Sequence, residues 1–319
     1  MTPSHPVVLV GGAGFIGRHL AARLLADGVP VVILDRIPPV GLDSVRVEVG
    51  DLSDPGVLTR VLQSGAVVVH LAWTSLPAGS NEDPVGDLQD NVLGSLRLLQ
   101  ACHGHRVGRV IYISSGGTVY GNPRHLPIRE TDQTEPMCAY GVSKLAVEKY
   151  LGLFRQLYGL DFVVLRPSNA FGPGQDPERG QSAVTVFTHM AARGEPITIW
   201  GNGDVVRDFL WVEDLVDAIA RLIRYEPGPT GLRIFNVGTG QGTSLRDLAG
   251  MVSRALGRQI EVTYAPGRPL DVTANVLDAT RLREVTGWFP QVALSDGITR
   301  MLRAWEAEGV IPVGSRGRV

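Results

Sequence analysis

Tyr140 and Lys144 stand four residues apart in the run Ala139-Tyr140-Gly141-Val142-Ser143-Lys144. On a helix that spacing places a phenol and an ammonium on one face. A neighbouring cation lowers the pKa of a phenol, so the pair suits proton removal and return at a reacting hydroxyl. The same spacing also occurs on solvated helix faces, and what surrounds it decides its meaning. Ser114 and Ser115 lie upstream at the end of an apolar run, with Thr118 three residues further on.

A second constellation sits near the N-terminus. Gly12, Gly14 and Gly17, within Gly11-Gly12-Ala13-Gly14-Phe15-Ile16-Gly17, form a G-x-G-x-x-G turn directly after the apolar run Val7-Val8-Leu9-Val10. Glycines there permit a tight turn, let the backbone approach a pyrophosphate and allow close helix packing, while the helix start offers unpaired N–H groups to an anion. Asp35, eighteen positions after Gly17, closes the next apolar run, where a carboxylate accepts hydrogen bonds from adenosine ribose hydroxyls. Asp35 would repel a 2'-phosphate, which favours NAD over NADP; its neighbour Arg36 pulls the other way.

These residues need a scaffold, and the sequence describes one. Apolar runs at Val7–Val10, Val31–Leu34, Val45–Val49, Val67–Leu71, Val110–Ile113 and Phe162–Leu165 read as strands. Helical patterns at Phe15–Ala26, Val92–Cys102 and Ser143–Tyr158 lie between them. The alternation predicts an α/β fold, a doubly wound parallel (Rossmann) sheet with right-handed crossovers and a smaller C-terminal substrate-binding lobe. Residues 1–173 form the dinucleotide-binding domain in this reading, with 210–238 returning to it. The lobe comprises 174–209 and 239–319.

Composition narrows the class. A net charge of −2 provides no basic field for nucleic acid or an anionic membrane. The two cysteines, Cys102 and Cys138, supply neither a disulfide framework nor a multi-cysteine metal site, and no metal is expected. Neither a signal peptide nor a membrane span is recognisable, so a cytoplasmic protein is expected.

With the glycine turn, Asp35 and the Tyr140/Lys144 pair in place, the chain resembles the NAD-dependent epimerase/dehydratase family of extended short-chain dehydrogenases/reductases, nearest to its UDP-galactose/UDP-glucose 4-epimerases. The motifs fall in the order of that family: Gly50-Asp51-Leu52, His70-Leu71-Ala72, Asn91, Gly117-Thr118-Val119-Tyr120-Gly121, Arg166-Pro167-Ser168-Asn169, Phe171-Gly172-Pro173, Arg207-Asp208-Phe209 and Asn236-Val237-Gly238. The resemblance implies that Asp51 and Leu52 contact the adenine and that Asn91 lies near the cofactor, with Leu71, Ala72, Ser114, Pro167, Tyr140 and Lys144 also on the cofactor side, the Lys144 ammonium holding the nicotinamide ribose. It implies that Asn169 meets a sugar nucleotide's diphosphate, that Arg207 and Arg268 clamp it, and that Asp271 binds the nucleoside ribose. Gly116 and Gly117 would border the sugar. Asn275, four residues after Asp271, would line the wall near the sugar's 2-substituent and, being smaller than tyrosine, would admit an N-acetyl group.

The implied reaction is epimerisation at carbon 4 of a UDP-hexose or UDP-N-acetylhexosamine. Tyr140 takes the 4-hydroxyl proton, a hydride passes to NAD, and the 4-keto sugar takes it back on its other face. One family position is not matched: Gly116 stands where a serine or threonine hydroxyl is expected. Thr118 or Ser115 would have to replace it, and if neither does, Gly116→Ser would be expected to raise the rate. Gly117 and Thr118 also stand where the family's dehydratases and decarboxylases carry carboxylates, which argues against those reactions. Other readings are a 4-keto-sugar-nucleotide reductase and, from another class, a non-catalytic NAD(P)-sensing protein. The resemblance further implies a homodimer formed through the helices around Val92–Cys102 and Ser143–Tyr158.

Overall fold

The computed structural model describes residues 5–42, 44–228, 231–267 and 272–311. Its centre is a sheet of seven parallel strands: β1 (Val7–Val10), β2 (Val31–Asp35), β3 (Arg46–Val49), β4 (Val67–His70), β5 (Arg109–Ile113), β6 (Phe162–Pro167) and β10 (Ile234–Val237), in the spatial order β10-β6-β5-β4-β1-β2-β3. β1 pairs Val7 with Val31 of β2 on one side and with Val67 of β4 on the other. The chain therefore winds outward from β1 to β3, then returns to β4 and winds the other way. That reversal leaves a crevice at the carboxyl ends of β1 and β4, where ligands of such sheets bind.

The inner strands are largely apolar because both faces of the sheet are covered, whereas the edge strand β3 is partly polar and exposed. One face packs under α1 (Phe15–Ala26), α7 (Val212–Ile223) and α9 (Thr280–Thr286), the other under α2 (Pro55–Val61), α4 (Gly94–Gly104) and α5 (Ala139–Tyr158). A short helix α3 (Pro84–Asp87) and a π-helical turn over Leu88–Leu93 lead into α4. α5 begins at Ala139, four residues ahead of the sequence expectation, so Tyr140 lies in its first turn.

The smaller lobe has its own core, built by α6 (Ala183–Ala192), α8 (Leu245–Leu256) and α10 (Leu294–Ala307), with Phe187, Leu248 and Trp305 buried among them. Its strands are β7 (Asn169–Phe171), β8 (Ile197–Trp200), β9 (Val206–Trp211), β11 (Gly242–Ser244), β12 (Val262–Ala265) and β13 (Ala274–Asn275). β9 is the hub, pairing with β7, β11 and β13. No helix among the described residues is long and apolar enough to cross a membrane.

Candidate active site

A cavity of about 2060 Å³ runs from the carboxyl ends of β1 and β2, past the start of α5, to β8 and β9 of the lobe. At its floor the glycine turn is sterically required. A Cβ at Gly17 would meet the Gly12 backbone at 2.6 Å, and Gly11, at φ +84°, leaves no room beside Ala72 N. α1 starts without a side-chain cap, and Gly14, Phe15, Ile16 and Gly17 line the cavity there, so its first N–H groups are available to an anion.

Asp35 also lines the cavity, and its carboxylate accepts from Ala13 N at 2.9 Å and Arg36 N at 2.7 Å. It thus braces the glycine turn from the cavity wall. Asp51 accepts from Ser53 N at 2.8 Å, the first cause of a carboxyl held below its usual range; Arg36 and Arg97 add to it. An uncapped helix start, a glycine floor and a carboxylate at the second strand's end together fit a dinucleotide with an unphosphorylated ribose.

Tyr140 and Lys144 open onto the middle of the cavity. Ser80 Oγ accepts from Tyr140 N at 3.0 Å and Asn81 Oδ1 from Ala139 N at 2.8 Å, so residues 80–81 cap the start of α5. Burial pushes the Tyr140 phenol well above its ordinary value, with Cys138 and Asp87 adding to the rise. Burial also pushes Lys144 down to about 7, against the opposing pull of Asp87 and Glu148. The expectation that Lys144 lowers the phenol is therefore countered in this arrangement by desolvation of both groups.

Thr118 lines the cavity, and its buried hydroxyl has no hydrogen-bond partner among the described residues. Ser115, Gly117 and Asn169 are on the same wall, and Asn169 Nδ2 donates to Asp208 O at 3.0 Å. Arg207 reaches the cavity from β9, its Nη1 donating to Val206 O at 3.0 Å. Leu52, Leu71, Ala72, Ser114 and Pro167 line the cavity. Asn91 lines it too, but its amide is occupied: Oδ1 accepts from Thr74 N at 2.9 Å, and Nδ2 donates to Asp87 at 3.1 Å.

Among the described residues given a site role from the sequence, three do not line the cavity. Gly12 lies beneath the turn, against Leu9 and Ile33. Gly116 lies behind the wall, where a Cβ would stand 2.5 Å from Leu277 Cδ1 and 2.9 Å from Arg166 O. Asn275, expected at the sugar's 2-substituent, is fully buried and donates to Gly116 O at 2.9 Å. Its amide nitrogen thus serves the wall, while its Oδ1 is buried without a partner among the described residues. Arg268 and Asp271 lie outside the described residues.

Two residues escaped the sequence reading. Asp87, buried on α3, accepts from Ser75, Asn91 and Ser143, tying the β4–α3 segment to α5. Trp73 lines the cavity between Tyr140 and Lys144. The sequence signal for Trp73 is its place directly after His70-Leu71-Ala72; Asp87 has none, because its partners come from separate segments.

A parallel sheet with a dinucleotide turn at its switch point, and a tyrosine–lysine pair over the same cavity, defines an extended short-chain dehydrogenase/reductase. The sequence pattern of the NAD dependent epimerase/dehydratase family matches residues 7–238. A UDP-glucose 4-epimerase of Mycolicibacterium smegmatis is 38% identical over 306 residues, covering 92% of this chain and 96% of that protein. The structure of a Thermotoga maritima UDP-glucose 4-epimerase with UDP-glucose superposes with a TM-score of 0.88 at 32% identity, covering 95% of this chain and 99% of that one. A Thermus thermophilus UDP-glucose 4-epimerase in complex with NAD superposes with a TM-score of 0.86 at 35% identity, covering 94% of this chain and 99% of that one. The chain belongs to the NAD dependent epimerase/dehydratase family, and its cofactor is NAD.

Proposed function

We propose that this chain interconverts UDP-hexoses by inverting carbon 4 through a transient 4-keto sugar. In this reading it is an NAD-dependent nucleotide-sugar 4-epimerase. One observation carries it: Tyr140 and Lys144 open onto one continuous cavity between the glycine turn with Asp35 and the lobe wall with Asn169 and Arg207. The acid–base pair thus stands where the reactive end of a dinucleotide and the sugar of a nucleotide sugar would meet.

NAD, when bound, supplies the acceptor and then the donor of the carbon-4 hydride. The chain's residues do the rest. Tyr140 removes the 4-hydroxyl proton and returns it after the sugar has turned. Lys144, as an ammonium, favours the ionised phenol. The unpartnered Thr118 hydroxyl donates to the 4-oxygen as charge develops there. In this proposal Asn169 and the guanidiniums of Arg207 and Arg268 receive the diphosphate, a role planar forks suit, and Asp271 binds the nucleoside ribose.

The protein acts as a homodimer. Val142, Tyr150, Leu153 and Leu157 form an exposed apolar stripe at helical spacing along α5, and Leu88 and Leu93 are exposed on the π-helical turn that contacts α5. Such a stripe is what a self-complementary helical interface leaves bare in one protomer.

The test is incubation with UDP-, dTDP- and GDP-sugars, with products identified by NMR and the bound nucleotide assayed after denaturation. UDP-glucose and UDP-galactose are expected to interconvert, and NAD to be released. The N-acetylhexosamines belong in the same panel. With Asn275 behind the wall, their acceptance rests on cavity width alone.

A further inference from the structure

Lys144 is a buried ammonium inside a cage of rings. Its Nζ lies 3.8 Å from the centroid of Trp73, 5.2 Å from that of Tyr112 and 5.5 Å from that of Tyr140, and it donates to Ile113 O at 2.8 Å. The Trp73 ring also packs against Tyr140, centroids 5.7 Å apart and planes at 69°. Trp73 Nε1 donates to Ser75 Oγ at 3.1 Å, and Ser75 donates to the buried Asp87, so the indole is held in its plane.

The charged and titratable groups facing Lys144 are Asp87 from α3, Glu148 and Tyr140 from α5 itself, His70 from β4 and Tyr112 from β5. The carboxylate oxygens are engaged elsewhere: Asp87 with Ser75, Asn91 and Ser143, Glu148 with Ser114 and Arg166. They act on the ammonium through space. His70 is held neutral by burial, its pKa pushed down to about 3. The nearest stabilising partner besides Ile113 O is therefore the face of Trp73.

We propose that Trp73 is a positioning residue for the catalytic pair: the face of its indole keeps the Lys144 ammonium charged in a dry site, and its edge sets the Tyr140 ring. The inference rests on the acid–base role given to that pair above. A ring face attracts a cation through its quadrupole, most strongly when the cation is desolvated. Burial drives Lys144 toward the neutral amine, pushing its pKa down to about 7 against the opposing pull of Asp87 and Glu148. The ring opposes that drive and the apolar cover does not. Leucine at 73 keeps cover and loses the quadrupole; phenylalanine keeps both in part.

The chain has only two lysines, Lys144 and Lys149, so protein with 13C-labelled lysine gives two side-chain signals, assigned by Lys149→Arg. In Trp73→Leu the Lys144 titration midpoint is expected to fall by about one pH unit, while Trp73→Phe stays near wild type. Wild-type protein grown with fluorinated tryptophan, which drains the quadrupole and leaves the ring in place, shifts in the same direction. A midpoint that rises or stays put in both the leucine variant and the fluorinated protein overturns the proposal.

Activity gives a second readout. Trp73→Leu lowers kcat about tenfold, with KM for the sugar nucleotide changed less than about threefold, and the basic limb of the kcat profile moves to lower pH. Equal losses in the phenylalanine and leucine variants contradict the proposal. The titration needs no substrate, so a wild-type protein that epimerises no sugar overturns the function and leaves this result standing.

Discussion

At position 116 a side chain has nowhere to go. Leu277 Cδ1 and the Arg166 carbonyl occupy its place, so Gly116→Ser, expected from the sequence to raise the rate only if neither Thr118 nor Ser115 replaces the hydroxyl, finds no open space. That substitution is expected to destabilise the protein by about 1–3 kcal/mol, read as a lower thermal midpoint. Combining it with Leu277→Ala recovers the part due to Leu277. Thr118 carries the hydroxyl that remains, buried and unpartnered. Thr118→Val should lower kcat on the order of 100-fold, with Ser115→Ala much milder; equal mild effects would remove Thr118 from the reaction. Lys144 makes stability depend on pH. Burial lowers its midpoint to about 7 from the ordinary 10.5, so between those values the unfolded chain binds the extra proton and stability rises with pH. Below about pH 7 the cost of burying the ammonium is present in full. Lys144→Met should therefore be the more stable protein in urea at pH 6, with an advantage that shrinks toward pH 10. A constant difference across that range would mean that Lys144 is not desolvated.

At the scale of elements, α5 serves the site with one face and carries a bare apolar stripe on another. Leu153→Glu should convert a dimer to a monomer in sedimentation, since it places a charge in the centre of that stripe; a wild-type protein that is already monomeric contradicts the assignment. The central strands were legible because a parallel sheet covered on both faces demands apolar runs, as in Val7–Val10 of β1, Val110–Ile113 of β5 and Phe162–Leu165 of β6. The glycine turn and the tyrosine–lysine pair were legible because each is a short run with fixed spacing. What escaped depends on residues far apart in sequence. Gly116 reads as a lost hydroxyl until Leu277 is seen filling the gap, and Asn275 reads as a pocket residue until its amide is found on Gly116 O. Asp87 and Trp73 acquire meaning only when α3, the segment after β4, and α5 converge.

In the proposed function the molecule as a whole brings two nucleotide sites to one acid–base pair. The large sheet supplies the dinucleotide floor at its switch point, the lobe supplies the opposite wall from β8 and β9, and the start of α5 stands between them. Tyr140→Phe removes one hydroxyl from that junction and should lower kcat by about 100- to 10,000-fold while NAD still copurifies, as an assay of released nucleotide would record. The central claim is that a hydride leaves carbon 4 and returns to it within the same cavity. UDP-galactose carrying deuterium at carbon 4 tests it directly: the NMR spectrum of the product should show UDP-glucose with the deuterium retained at carbon 4, without added NAD. Product with solvent hydrogen at that carbon, or no epimer at all from protein that binds NAD, would contradict it.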